Sequence, residues 1–153
     1  MKILVSACLL GQNCKYDGGN NLNPRLMSFL EGHEVIPVCP EVLGGRPVPR
    51  PPVEIVDGVV REMDGTDRDK EFHIGAEEGL RMALENQVDL AILQSRSPSC
   101  GVNQIYDGSF SHKKIEGRGI FAGLLIDNGL RVIDVEDLDS LKGNNFNTKK
   151  AGQ

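Results

Sequence analysis

Asp89-Leu90-Ala91-Ile92-Leu93-Gln94-Ser95-Arg96-Ser97-Pro98-Ser99-Cys100-Gly101 drives a short apolar run into a polar turn that ends on a thiol. Four apolar residues bounded by turn residues fit a strand buried on both faces, as in a parallel sheet. A thiol just past such a strand stands where α/β proteins place their ligands. Two more cysteines repeat the placement. Residues 2–7 are apolar and β-branched and lead into Cys8, and Glu34–Val38 leads into Cys39. A fourth strand is predicted over residues 131–135.

The segments between these strands carry helix signals. Asn23-Pro24 supplies an N-cap and a proline at the first helical position. Leu26, Met27 and Leu30 then form one apolar face, closed by Gly32. Thr66 or Asp67 can cap the main helix, residues 69–87, where Phe72, Ala76, Leu80, Ala83 and Leu84 recur at helical spacing. Gly75 and Gly79 inside it imply a close backbone approach, expected to be to the sheet. Residues 120–125 continue as a helix ended by Gly129, and residues 136–141 form a short one. Asp57-Gly58 between two valine-rich runs is a strong two-residue hairpin signal. Residues 94–117 read as one long loop. Strands alternating with helices predict a Rossmann-like α/β fold: a parallel sheet in the order 2-1-3-4, flanked by helices, with a small β-hairpin excursion. Residues 1–141 form one domain in this reading, and residues 142–153 a flexible tail.

The chain has 153 residues, 39% of them hydrophobic and 25% charged, with a net charge of −5. That length suits one domain with a real core and no need of disulfides. The charge leaves no basic footprint for a nucleic-acid duplex. No apolar run approaches the roughly 20 residues of a membrane span, and the N-terminus reads as a strand, not a signal peptide. A cytoplasmic setting is the expectation, with monomer and homodimer both open. There the four cysteines stay reduced and act as metal ligands, catalysts or buried apolar groups.

No Cys-x-x-Cys pair is present, so neither a zinc ribbon nor a thioredoxin motif fits. The signal lies in position: Cys8, Cys39 and Cys100 each follow a predicted parallel strand. Three thiolates with a fourth position open serve catalytic zinc or an iron–sulfur cluster with one iron free. Cys14, six residues after Cys8, closes that fourth position if it reaches the site; the open site is the favoured reading. His112, in the long loop, can approach the site, and His33 and His73 have weak claims.

Several motifs in order resemble the thiouracil desulfurase family. They are Ser6-Ala7-Cys8-Leu9-Leu10-Gly11, Tyr16-Asp17-Gly18, Cys39-Pro40-Glu41, Pro49-Arg50-Pro51, Ser97-Pro98-Ser99-Cys100-Gly101 and Tyr106-Asp107-Gly108. The resemblance implies a 4Fe–4S cluster with three Cys ligands and one open iron, matched here by Cys8, Cys39 and Cys100. It also implies removal of sulfur from a small thiolated pyrimidine such as 2-thiouracil, C=S becoming C=O without net redox change. It points to Glu41 as the acid/base and carries a catalytic serine to the motif of Ser97. Ser99 is the rival, grouped with Tyr16, Asp17 and Arg50 as candidate substrate contacts. Glu41 paired with Arg46 or Arg50 and merely shaping its loop is the bland alternative. Two other functions use the same thiols: a sulfur or metal carrier without turnover, and a zinc or thiol enzyme with Cys100 as nucleophile.

Overall fold

In the computed structural model, which describes residues 1–142, Lys2–Ser6 forms β1 and its Ile3, Leu4 and Val5 are wholly buried. Successive side chains of a strand point to opposite faces, so a strand buried throughout needs a layer on each side. Both layers are present. Leu4 belongs to one apolar cluster with Ala76, Ala83, Phe121 and Leu125. Ile3 and Val5 belong to the other, with Leu26, Leu30, Leu138 and Leu141. The first cluster is built on α3 (Asp69–Glu85) and α4 (Ile120–Asp127), the second on α1 (Pro24–Leu30) and the 3-10 segment Val135–Lys142.

The main sheet has four strands. β2 (Glu34–Val38) and β5 (Leu90–Leu93) flank β1, and β8 (Val132–Asp134) lies outside β5. All three pairings are parallel, with Leu4 opposite Ile36 and Ala91, and Ile92 opposite Ile133. Counted within this sheet alone, the order is 2-1-3-4, as the sequence predicts. The carboxyl ends of β1, β2 and β5 therefore open on one edge. The hairpin is also present, as β3 (Val53–Val56) and β4 (Val59–Glu62), with Asp57 at φ 50° and Gly58 at φ 82°. Both central residues have positive φ, as a type I′ turn requires.

Several expectations change. The prolines of residues 47–52 are followed by the hairpin, but Pro40 opens an unforeseen short helix, α2 (Pro40–Leu43). Residues 94–117 are not one loop: β6 (Gln104–Tyr106) and β7 (Lys114–Glu116) pair antiparallel inside them. The N-cap position of α3 is Arg68, not Thr66 or Asp67, although Asp67 Oδ1 accepts from Asp69 N at 2.9 Å. Met27 and Leu84 face solvent, leaving Leu26, Leu30, Ala76 and Ala83 to the core. Gly75 and Gly79 do admit close neighbours, but these are helices, not the sheet. A Cβ on Gly75 would lie 1.8 Å from the Pro40 carbonyl oxygen, and one on Gly79 2.5 Å from the Phe121 ring. The segment expected to be a flexible tail lies, apart from Lys142, outside the described residues.

Candidate metal centre

Each strand-end cysteine is fixed by a different local device. β1 passes into a 3-10 turn, Ala7–Leu10, which carries Cys8 and closes on Gly11 at φ 92°. Cys39 is the N-cap residue of α2, with Pro40 at the first helical position and Glu41 in the first turn. Cys100 ends a serine turn in which Ser97 Oγ accepts from the amides of Ser99 and Cys100, both at 3.0 Å. This turn also caps α4. The Pro98 carbonyl accepts from Ile120 N at 2.8 Å, and the Ser99 carbonyl accepts from Phe121 N and Ala122 N. Those amides would otherwise be orphans of the first helical turn. Gly119 makes the close approach possible, since a Cβ there would lie 2.5 Å from the Ser99 carbonyl.

The three thiols line one cavity of about 520 Å³ at the carboxyl edge of the sheet. Cys14 lines it too. Its carbonyl accepts from Cys39 Sγ at 3.9 Å. All four cysteines are free thiols. The hydrogen bond from Cys14 holds the Cys8 thiol below the ordinary cysteine range, against the opposing effect of burial. The Cys14 hydrogen bond and then burial push Cys39 up, and burial pushes Cys100 up. For Cys14 the bond with Cys39 pulls down, but the bond with Cys8 and burial leave it raised. A second depression, lined by Met1, Lys2, Glu34, Gln87 and Asp89, lies at the opposite edge and has no thiol.

Glu41 projects from α2 into the same cavity. Arg50 Nε donates to its Oε1 at 3.0 Å, and Ser99 Oγ donates to its Oε2 at 3.2 Å. The ion pair is largely dry, with side-chain exposures of 4% for Arg50 and 14% for Glu41. Arg50 also donates to the carbonyls of Pro47 (Nη1, 3.0 Å) and Cys14 (Nη2, 2.9 Å). Its guanidinium is thus committed to protein partners, and the Arg50 pairing weighed for Glu41 is present. Tyr16 and Ser97 line the cavity, whereas Ser99 is buried behind Glu41. Asp17, expected beside Tyr16 at the substrate, lies outside the lining. Its Oδ1 accepts from Gly19 N at 2.9 Å, closing a local turn.

The far wall is the part sequence reading largely missed; of its residues only His112 is expected from the sequence to approach the site. Tyr106, Phe110 and His112 of the β6–β7 hairpin line it, with Tyr106 and His112 edge to face at 6.4 Å. The hairpin tip is held by Glu54 on β3, whose Oε1 accepts from Gly108 N at 2.9 Å and Phe110 N at 3.1 Å. The Tyr106-Asp107-Gly108 motif was the available signal for it. Of the histidines only His112 reaches the cavity; His73 pairs with Asp69 at 3.3 Å and His33 with the N-terminal amine at 2.9 Å.

The family profile for 2-thiouracil desulfurase matches residues 3–137. The chain belongs to the 2-thiouracil desulfurase family. A solved structure described as a [4Fe-4S]-dependent thiouracil desulfidase, TudS, superposes with a TM-score of 0.86 at 40% identity. That match covers 92% of this chain and 95% of the other. The uncharacterized protein YbbK of Bacillus subtilis (strain 168) is 36% identical over 149 residues, covering 91% of this chain and 99% of its own.

The donor set of this family member fits an iron–sulfur cluster, whose irons take thiolates. Zn–S bonds of about 2.3 Å would hold tetrahedral sulfurs about 3.8 Å apart around one point. Among the described residues, no group of three or more His, Cys, Asp or Glu side chains is set to hold a single ion in that way. Also among them, no helix is long and apolar enough to cross a membrane.

Proposed function

We propose that the chain removes sulfur from a small thiolated pyrimidine such as 2-thiouracil, using a 4Fe–4S cluster held by Cys8, Cys39 and Cys100. The thiocarbonyl and water become a carbonyl and hydrogen sulfide, with no net redox change. The observation that carries this reading is the convergence of three strand-end thiols and the braced Glu41 carboxylate on one cavity. Membership of the family and likeness to a cluster-dependent desulfidase support it. The cluster, when bound, supplies a Lewis acid for the substrate's sulfur.

This chain's own residues supply the rest. Glu41 takes a proton from the attacking water and returns one to the departing sulfur. Arg50 and Ser99 hold one carboxylate oxygen each, so the acid/base keeps one orientation. Arg50 is thus a positioning residue here. Ser97 lines the cavity and accepts two turn amides, which leaves its own hydrogen to donate to water or to the ring. Tyr16, Tyr106 and Phe110 offer apolar faces to a flat heterocycle.

Anaerobic purification tests this. About four irons and four sulfides per chain, with 2-thiouracil converted to uracil and sulfide, is the expected result. Cluster content without turnover would favour the carrier. In Glu41→Gln the cluster's absorbance stays while turnover falls by about 10²–10⁴-fold, the usual worth of a general acid/base. An unchanged rate removes Glu41 from the mechanism.

A further inference from the structure

Three strand-end thiols account for the family's cluster, yet four thiols face this cavity. Cys14 differs from the others in its setting. It sits on the connection between the turn after β1 and helix α1, not at a strand end; like Cys8 and Cys39 it is half-buried, whereas Cys100 is buried. It is nevertheless brought to the site deliberately. It lines the cavity beside Cys8 and Cys39, and its carbonyl accepts from Cys39 Sγ at 3.9 Å and from Arg50 Nη2 at 2.9 Å. Arg50 is itself buried and is tied to the Pro47 carbonyl and to Glu41, so the group that handles protons and the backbone of Cys14 share one anchor.

Resting on the reading of this cavity as a cluster site, we propose that Cys14 is a fourth, exchangeable thiolate. It caps the cluster's open corner when no substrate is present and gives way to the substrate's sulfur. One sulfur ligand replaces another, so no oxidation state changes. The substrate gives up its thioamide N–H proton as its sulfur binds, and the released Cys14 thiolate takes up one proton. The position of Cys14 suits this: the backbone is pinned by Arg50, while the side chain is free of any strand and has solvent beside it. A capped corner also keeps water and stray anions from an exposed iron between turnovers.

Thiol labelling reads this directly. The anaerobically loaded protein is treated with iodoacetamide, with and without saturating 2-thiouracil, and the modified peptides are identified by mass. In the cluster-free chain Cys14 labels readily. In the loaded chain without substrate all four cysteines resist, and 2-thiouracil speeds labelling of Cys14 at least tenfold. Cys14 labelling as fast in the loaded chain as in the cluster-free one overturns the proposal. A second readout separates ligation from simple shielding. Cys14→Ala retains its irons but shows an altered electron paramagnetic resonance spectrum after reduction; an unchanged spectrum also overturns the proposal. A chain that takes up no iron and sulfide overturns the cluster reading and this inference with it. A loaded chain with an open Cys14 overturns this inference alone.

Discussion

Ser97 and Ser99 are two residues apart on one turn, and their hydroxyls face different tasks. Ser97 holds the turn amides beside Cys100, and Ser99 holds Glu41. Ser97→Ala leaves two amides without their acceptor, which costs about 1–3 kcal/mol where they are buried. Thermal melts of the cluster-free protein should show that loss. Ser99→Ala frees one oxygen of Glu41, so kcat falls while the melting temperature moves less; equal effects of the two variants would refute the division of roles. The sequence displayed both serines but not the difference, because which hydroxyl turns inward depends on the turn's backbone. Arg50 teaches the same lesson. A cation between prolines reads as free to meet a substrate, and only the fold shows three protein acceptors around it. Removing it leaves Glu41 buried and unpaired, so Arg50→Ala should lower stability by about 3–5 kcal/mol in a urea titration.

The elements that aim these residues are held by contacts no local pattern announces. α2 and α3 meet where Gly44 and Gly75 face each other's backbones: a Cβ on Gly44 would lie 1.9 Å from the Glu71 carbonyl oxygen. Gly75→Ala must therefore push α2 aside, and α2 carries Cys39 at its N-cap and Glu41 in its first turn. Overpacking of this kind costs about 1–3 kcal/mol. The cluster's absorbance per chain should fall as well, since Cys39, a proposed ligand, moves with the helix. A variant that is merely less stable but loads fully would separate the packing from the site. The glycines in α3 were legible as signs of close approach, but their partners were not, because crossings between helices distant in sequence leave no periodicity. Strands β6 and β7 were missed for a related reason. Each is three residues long, too short for alternation to show, and Glu54 on another hairpin holds their tip. Between the Cys100 turn and the C-terminal 3-10 segment stands a bidentate Arg96–Glu136 pair. The Arg96 guanidinium holds the Glu136 carboxyl below its ordinary range. A depressed carboxyl stabilises the fold above its unfolded value, and that contribution is lost as pH falls through the folded value. Glu136→Gln should thus lower stability slightly at neutral pH, by no more than a partly solvated pair is worth, and flatten the acid limb below about pH 4.5, with the difference from the parent vanishing at the lowest pH.

Across the whole molecule, the division between scaffold and site follows the division between what was legible and what was not. The four main strands and their order came from apolar runs and helix signals, because burial on both faces leaves little choice of residue. The thiol loops hold glycine, proline and polar residues whose geometry is set by contacts from elsewhere. Stability should divide along the same line. The two apolar clusters that sandwich the sheet contain, at their centres, Leu4, Phe121, Ile92 and Leu26, all wholly buried and all clear of the cavity. Only Cys100 of the four cysteines is a buried member of either cluster. Stripping the cluster with a chelator under oxidation, followed by reduction, should therefore leave a folded chain whose far-ultraviolet circular dichroism matches that of the loaded protein. Its melting temperature should still fall, because a group bound only by the native state adds stability; about 3–4 kcal/mol applies at 100–1,000-fold saturation. At about 2–4 °C per kcal/mol for a domain of this size, the drop is about 6–16 °C. Hydrogen exchange should then rise at residues 7–20, 39–50 and 94–102 while β1 and β5 stay protected, since local opening follows few buried apolar contacts. Loss of protection in β1 at the same rate as at Cys8 would show that the cluster holds up the sheet itself, and the thiol loops would have to be counted as part of the core.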